Sequence, residues 1–211
     1  MKDLFNLESP FMQMLTRIGD MIIINFLCLV CCLPIITAGA ALSATHRLMQ
    51  DFVMENEGAM FKTFFRVFKE NFKQSTLVWL IMVVITVSLV CDLMLVNAFF
   101  SGTMATIMYI LLAVLALVVY GTAAFLFPLL TRYTNTLKEH LFNALILAIT
   151  RPHLTIGMVA LHALPLIIFL LSPAVFVQTL VFWLFIGVAF IIYLDNVMLK
   201  KVFQELEKSR K

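Results

Sequence analysis

The sequence predicts an all-α membrane protein, a polytopic bundle of about five transmembrane helices with cytoplasmic amphipathic helices between them. Its 211 residues are 63% hydrophobic and 13% charged, whereas a soluble domain carries about 25% charged residues. The apolar residues fall into five runs, each about as long as a helix needs to cross a membrane. The runs cover residues 18–42, 76–98, 104–130, 154–171 and 174–199. We expect residues 1–211 to form one integral membrane domain.

The segment before the first run predicts a retained helix rather than a cleaved signal peptide. Ser9 can cap a helix, and Pro10 suits its first position. Residues 1–20 carry two cations and three carboxylates, unlike the basic start of a signal peptide. We therefore interpret the first run as a membrane span.

Four residues near the end of the first run predict a packing face. Pro34 lacks the N–H that a helix needs, so we expect a bend there, which the hydroxyl of Thr37 can compensate. Gly39 and Ser43 are small and four residues apart, a spacing that lets another helix approach closely. We expect these residues to pack against a helix or to bind a partner protein.

Residues 43–75 predict a cytoplasmic elbow that contains an amphipathic helix. Phenylalanines and cations recur there at steps of three and four, on different faces. A core helix of a soluble protein has a similar pattern, but the flanking apolar runs favour the membrane interface. The rings would lie among acyl chains and the cations at anionic head groups, each cation worth about 1 kcal/mol. The residues are Phe61, Lys62, Phe64, Phe65, Arg66, Phe68, Lys69, Phe72 and Lys73.

A second polar connection covers residues 131–153. Thr136 and Glu139 have the spacing of a capping box, which predicts that a helix starts at this point. Its apolar part is too short to cross a membrane. We expect this helix to rest against the bundle.

The distribution of basic residues predicts which connections are cytoplasmic. The elbow, the second connection and the tail at 200–211 hold all but Lys2 and Arg17 of the 15 lysines and arginines. Because such connections stay in the cytoplasm, we predict a multi-pass membrane protein with its C-terminus inside. A full crossing by the first run places the N-terminus outside, which is our prediction. A re-entrant turn at Pro34 would place it inside and is the alternative.

Four polar residues inside the spans are candidate sites: Asn25, Asp92, His162 and Asp195. A carboxylate at the centre of a span costs about 2.5–3.5 kcal/mol, so it usually faces a partner or water. Asp92 is the candidate for a cargo or proton site, unless it reaches water at the outer border. We expect Asn25 to hydrogen-bond another helix and His162 to pack with a bond to a carbonyl or hydroxyl. Asp195 is expected to form ion pairs at its helix end. Asp92 and His162 lie at different depths, so we do not expect them to pair.

The sequence nominates no catalytic, cofactor or metal site. Its four cysteines lie in apolar runs, where they act as small packing residues. We find no phosphate loop, zinc-binding His-Glu motif or nucleophile elbow. The net charge of +3 is small and spread over several connections, which argues against nucleic acid. We expect a non-enzymatic protein without a cofactor.

Several short blocks resemble a known family. The most specific are Leu33-Pro34-Ile35-Ile36-Thr37-Ala38-Gly39-Ala40 and the Phe-rich stretch 64–74; Phe5-Asn6-Leu7 and residues 16–20 also match. On these residues the chain resembles the YesL family of bacterial integral membrane proteins, whose domain has no assigned function. The resemblance implies a companion of carbohydrate uptake systems, without catalytic residues.

The sequence therefore leaves two functional hypotheses. The first is an accessory component that binds a partner, such as the membrane subunits of a binding-protein-dependent sugar transporter of the ABC type. The second is a small transporter or channel, in which proline-broken helices surround a central site. An enzyme is a third and weaker hypothesis because no residue nominates a reaction.

Overall fold

A computed structural model describes residues 10–56 and 58–209 of the chain, and every regular element in that part is a helix. The elements are α1 (Pro10–Cys32), a 3-10 turn (Ile35–Thr37), α2 (Ala38–Val53), α3 (Met60–Phe99), α4 (Gly102–Arg132), α5 (Leu137–Thr150), α6 (Pro152–Leu171), α7 (Pro173–Phe182), a π turn (Trp183–Gly187) and α8 (Val188–Ser209). The expected cap Ser9 and the final basic residues Arg210 and Lys211 lie outside the described residues.

Five helical segments are long and apolar enough to cross a membrane, which confirms the predicted all-α bundle. They are Phe11–Cys32, Met60–Phe99, Gly102–Arg132, Pro152–Leu171 and Pro173–Lys208. The last segment joins α7, the π turn and α8. The second to fifth apolar runs therefore predicted spanning helices, although several helices continue well beyond the runs.

The bend predicted at Pro34 is wrong, because α1 ends at Cys32 and a new helix starts at Ala38. The 3-10 turn reverses the chain. The Thr37 hydroxyl closes this turn by donating to the carbonyl of Cys31 at 2.6 Å and to that of Pro34 at 2.8 Å. Residues 18–42 are thus two antiparallel elements instead of one span.

The α1–α2 hairpin also corrects the predicted crossing. Arg17 in α1 and Glu55 after α2 approach to 4.0 Å between Nη2 and Oε1. A single crossing would separate these residues by the thickness of the hydrocarbon core, about 30 Å. The early part of α1 and the first connection therefore lie at the same end of the bundle, as the re-entrant alternative requires.

Helix α2 is central to the fold, so residues 43–53 are a packed helix rather than an exposed connection. It packs against α1, α3, α4 and α8. Its polar side chains find partners inside the protein. Ser43 Oγ lies 2.7 Å from Ser75 Oγ, and Gln50 Nε2 donates to the carbonyl of Pro128 at 2.9 Å.

The Phe-rich segment is the first third of α3 rather than a separate helix. At 1.5 Å per residue, the 40 residues of α3 span about 60 Å. Phe64 is fully buried in a cluster with Ile24, Leu48 and Val67. The prediction that this ring enters lipid is wrong.

The other residues of the Phe-rich segment have open surface. Phe61 and Phe65 are exposed, Phe68 and Phe72 are half-buried, and the four cations are exposed. Their position at a membrane interface therefore remains a prediction.

Helix α5 begins as its capping box predicts. The Thr136 hydroxyl accepts from the Glu139 backbone N–H at 3.4 Å, and Glu139 Oε2 accepts from the Thr136 N–H at 2.8 Å. The bond from the Thr136 backbone N–H, and after it the Thr136 side chain, favours the charged carboxylate and lowers the pKa of Glu139. The helix packs against α4 and α6, so it rests on the bundle.

Ion pairs gather at one end of the bundle, which we call the charged end. Arg132 Nη2 lies 2.6 Å from Glu207 Oε1, and Arg151 pairs with Glu205. These contacts join the end of α4 and the junction between α5 and α6 to the end of α8. The charged end comprises Arg17, Arg47, Asp51, Glu55, Arg132, Arg151, Glu205 and Glu207.

Candidate functional site

Polar side chains meet where α2, α6 and α8 come together. We call His46, His162, Asp195 and Asn196 the polar cluster. Asp195 and Asn196 are consecutive on α8, so their side chains point about 100° apart around the helix. Asp195 faces His162 of α6, and Asn196 faces His46 of α2.

The contact between α6 and α8 joins an enclosed carboxylate to a half-open imidazole. Asp195 Oδ2 lies 3.4 Å from His162 Nε2, and the two side chains are 0% and 45% exposed. His162 Nδ1 lies 2.9 Å from the Met158 carbonyl. The bond to a carbonyl is the one expected of His162. Asp195 was expected in ion pairs at a helix end, and its enclosure beside a histidine corrects that prediction.

The contact between α2 and α8 is a hydrogen bond between two buried side chains. Asn196 Nδ2 lies 3.3 Å from His46 Nδ1 and donates to the Ile192 carbonyl at 2.8 Å. The His46 ring stacks on Phe127, with centroids 6.2 Å apart. Because its charged form would lose hydration, burial lowers the pKa of His46 to about 3. His46 is therefore a neutral ring at physiological pH.

Asn25 joins α1 to the π turn. Its Nδ2 donates to the Leu184 carbonyl at 2.7 Å, and its Oδ1 accepts from the Ala189 N–H at 2.9 Å. A π turn shifts the backbone hydrogen bonds and leaves groups that need other partners. Asn25 thus makes the interhelical bonds that its place in the first run predicts.

Gly39 and Ser43 pack inside the chain. A Cβ at Gly39 would lie 2.3 Å from the Ser75 carbonyl oxygen and 2.7 Å from Trp79 Cβ. Both residues are buried against α3, so they offer no surface to a partner. Pro34 is exposed at the hairpin tip, and Thr37 is half-buried.

Asp92, the strongest candidate in the sequence, is not in the polar cluster. It is half-buried on α3, and among the described residues its carboxylate has neither a hydrogen bond nor an ion pair. As expected, it does not pair with His162, which contacts Asp195 instead. The structure gives Asp92 no partner that would mark a site.

Sequence reasoning missed His46 and Asn196. His46 lies in a stretch that the sequence predicts to be a polar connection, and Asn196 lies where the sequence predicts the end of a helix. The available signal was that His162 and the pair Asp195-Asn196 all lie in apolar runs. Only the packing of α2, α6 and α8 brings the residues together.

An open groove lies at the charged end between α1, α2 and the start of α3. Its volume is about 1050 Å³. Arginines and carboxylates alternate on its walls, so it suits a polar ligand that carries both charges. The charged lining residues are Arg17, Asp20, Arg47, Asp51, Glu55 and Arg66.

Within the described ranges, no three His, Cys, Asp or Glu side chains are grouped so as to hold a metal ion. The four cysteines are free thiols; Cys28 Sγ and Cys32 Sγ are 4.0 Å apart within α1.

The hairpin and most of α3 match a family model. Residues 21–93 match the family model described as Protein of unknown function, DUF624. The matched segment is about a third of the chain and includes Asn25, Gly39, His46 and the Phe-rich stretch. The partners of His46 on α6 and α8 lie beyond it. No curated protein and no solved structure matches the chain.

Proposed function

We propose that this integral membrane protein is a non-enzymatic accessory component that binds a partner protein in the groove at the charged end. The observation that carries the proposal is the groove itself, about 1050 Å³ and open. Its Arg17–Glu55 contact is long at 4.0 Å, and both side chains are exposed. Such a pair contributes little to stability, so a partner's charges can replace it at small cost.

The association with carbohydrate uptake is part of the same proposal. It rests on the resemblance to the YesL family, and the two blocks that carry this resemblance lie within the matched residues 21–93. The partner we propose is a membrane subunit of a sugar transporter of the ABC type. Anionic head groups around the exposed cations of α3 would hold the groove at the membrane surface.

Site-specific photo-crosslinking in native membranes tests this proposal. A photoreactive residue at Thr63, which lines the groove, should give one specific adduct. The same residue at the exposed Lys138 on α5 is the matched control and should give none. Arg66→Glu should reduce the Thr63 adduct. Absence of an adduct, or equal adducts at both positions, would contradict partner binding.

Mass spectrometry of the adduct then tests the proposed partner. A sugar-transporter subunit supports the link to carbohydrate uptake. Any other single protein rejects that link and leaves partner binding in place. Gly39→Leu is unsuitable for this purpose, because Gly39 is buried against α3 and the change would disturb the fold itself.

A small transporter or channel is the second candidate, favoured by the irregular helices around the bundle interior. The π turn at Trp183–Gly187 interrupts the last spanning segment, Pro173–Lys208, as discontinuous helices do in transporters. Solute flux into liposomes that contain the purified protein alone would support it. Asp195→Asn should abolish the flux and Asp92→Asn should not; no flux in the wild type rejects this candidate.

A further inference from the structure

The Asp195 carboxylate is enclosed without the hydrogen bonds that a buried charge needs. Its side chain is 0% exposed, and neither oxygen accepts a hydrogen bond from any described residue. An ionised carboxylate in an apolar interior is strongly unfavourable unless a cation or several donors compensate it. The lysines that follow in the sequence form no ion pair with Asp195 within the part of the chain that the structure describes.

The single polar group facing this carboxylate from α6 is His162, and its tautomer is fixed by the backbone. A carbonyl oxygen can only accept a hydrogen bond. His162 Nδ1, at 2.9 Å from the Met158 carbonyl, must therefore carry a hydrogen. In the neutral ring, Nε2 then has a lone pair and no hydrogen. This lone pair faces Asp195 Oδ2 at 3.4 Å.

Two acceptors would thus face each other if both groups were unprotonated. A water molecule does not fit between them, because a bridging water would hold the two atoms about 4.5 Å apart or more. A metal ion would need further ligands, and no suitable group of side chains occurs among the described residues. A single proton is the ligand that fits the gap.

We propose that Asp195 and His162 form a buried proton-binding site that holds one proton between Asp195 Oδ2 and His162 Nε2. The proton comes from water and returns to it; no other bond forms or breaks. Bound to oxygen it gives a neutral acid beside a neutral ring, and bound to nitrogen it gives a carboxylate beside an imidazolium. Both forms have zero net charge, which removes the cost of a bare buried charge.

The surroundings leave one side of the pair open and place no competing charge beside it. His162 is half-exposed, whereas Asp195 is enclosed, so the imidazole is the open side of the site. From α2, the titratable group at this level is His46, which is bonded to Asn196 and stays neutral. Arg132, Arg151, Glu205 and Glu207 pair with one another at the charged end. The site is independent of partner binding in the groove.

Two spectroscopic measurements on the purified full-length protein in lipid nanodiscs test the site. Infrared difference spectra detect the carbonyl stretch of a protonated aspartic acid, and nitrogen NMR detects whether His162 is an imidazolium. At neutral pH the wild type should show one of the two signals. An ionised Asp195 together with a neutral His162 would overturn the proposal.

Variants assign the signal and control for folding. Asp195→Asn keeps the shape, and its amide can donate to Nε2 without an added proton, so it should fold and lose the signal. Asp92→Asn, on α3, should leave the signal unchanged. In His162→Gln the remaining acid should carry the proton, with a clear carbonyl stretch. Persistence of the wild-type signal in Asp195→Asn, or an ionised Asp195 in His162→Gln, would count against the site.

Discussion

Asn25 Oδ1 accepts a hydrogen bond from the Ala189 backbone N–H at 2.9 Å, across 164 positions of sequence. The same amide donates to the Leu184 carbonyl at 2.7 Å. Together the two bonds span the end of the π turn, whose backbone groups would otherwise need other partners in an apolar environment. One side chain on α1 therefore stabilises an irregular segment of the last spanning helix.

Replacing Asn25 should loosen this junction. Asn25→Leu leaves a buried carbonyl and a buried N–H without partners, and we expect a loss of about 1–3 kcal/mol in the free energy of unfolding. Reversible denaturation in mixed micelles measures it. Thr122→Val is the control, because the Thr122 hydroxyl is exposed and bonds only the Val118 carbonyl of its own helix. Equal stability of the two variants would contradict the bridging role of Asn25.

The α2–α3 contact should tolerate no side chain at Gly39. In Gly39→Ala the new Cβ would lie 2.3 Å from a backbone oxygen, so helices α2 and α3 must move apart. We expect a destabilisation of about 1–3 kcal/mol. Gly19→Ala in α1 is the matched control, because no atom lies within 4 Å of its Cβ. The free energy of unfolding of Gly19→Ala should equal that of the wild type or exceed it by about 0.5–1 kcal/mol. If Gly39→Ala did not change the free energy of unfolding, α2 and α3 would have to lie further apart than the structure shows.

His46 should make stability fall in acid. Its pKa is lowered from 6.5 to about 3 in the folded protein, so below pH 6.5 the unfolded chain binds a proton that the folded protein does not. The free energy of unfolding should then decrease by up to about 1.4 kcal/mol per pH unit as pH falls towards 3. Chemical denaturation at a series of pH values measures this slope.

A pair of histidine variants isolates the effect. His46→Gln removes the imidazole, so the free energy of unfolding should fall less steeply with decreasing pH than in the wild type. His153→Gln replaces an exposed histidine on α6 and should leave the slope as in the wild type. Parallel curves for the wild type and His46→Gln would show that His46 titrates normally.

The hairpin predicts the sidedness of three positions. In a cysteine-free background, single cysteines at Thr16 and Asn56 should react alike with an impermeant maleimide, because both residues line the groove. A cysteine at Ser101, in the turn between α3 and α4, should react from the opposite side. Since basic segments stay in the cytoplasm, the first two should react only in permeabilised cells. If the cysteines at positions 16 and 56 were labelled from opposite sides of the membrane, the first apolar run would cross it once and the hairpin would be wrong.

Features that depend on neighbours in the sequence were predictable. The capping box at Thr136 and Glu139 forms because both partners lie within one helical turn. The second to fifth spanning segments follow from apolar length alone. Asn25 was predicted to bond another helix, but the sequence could not indicate the π turn as its partner.

The errors have a common physical origin. Pro34 lacks a backbone N–H, so a regular helix cannot continue unchanged through this position. Either a bend or a reversal of the chain is compatible with that, and the packing of α2 against α3 selects the reversal. Asp92 stood out because it is a carboxylate in an apolar run. Its neighbours on α3 leave it half-exposed, whereas the packing of α6 on α8 encloses Asp195.

The sequence by itself determined the class of protein: helices that cross a membrane, their approximate extent and the segments that carry positive charge. These properties follow from transfer of apolar side chains out of water and from hydrogen bonds within a helix, both of which are local. The tertiary structure alone decided that the first run folds back and that His162 meets Asp195. The physical reason is that several arrangements of the helices are compatible with the local sequence pattern, and contacts between helices far apart in sequence select one of them.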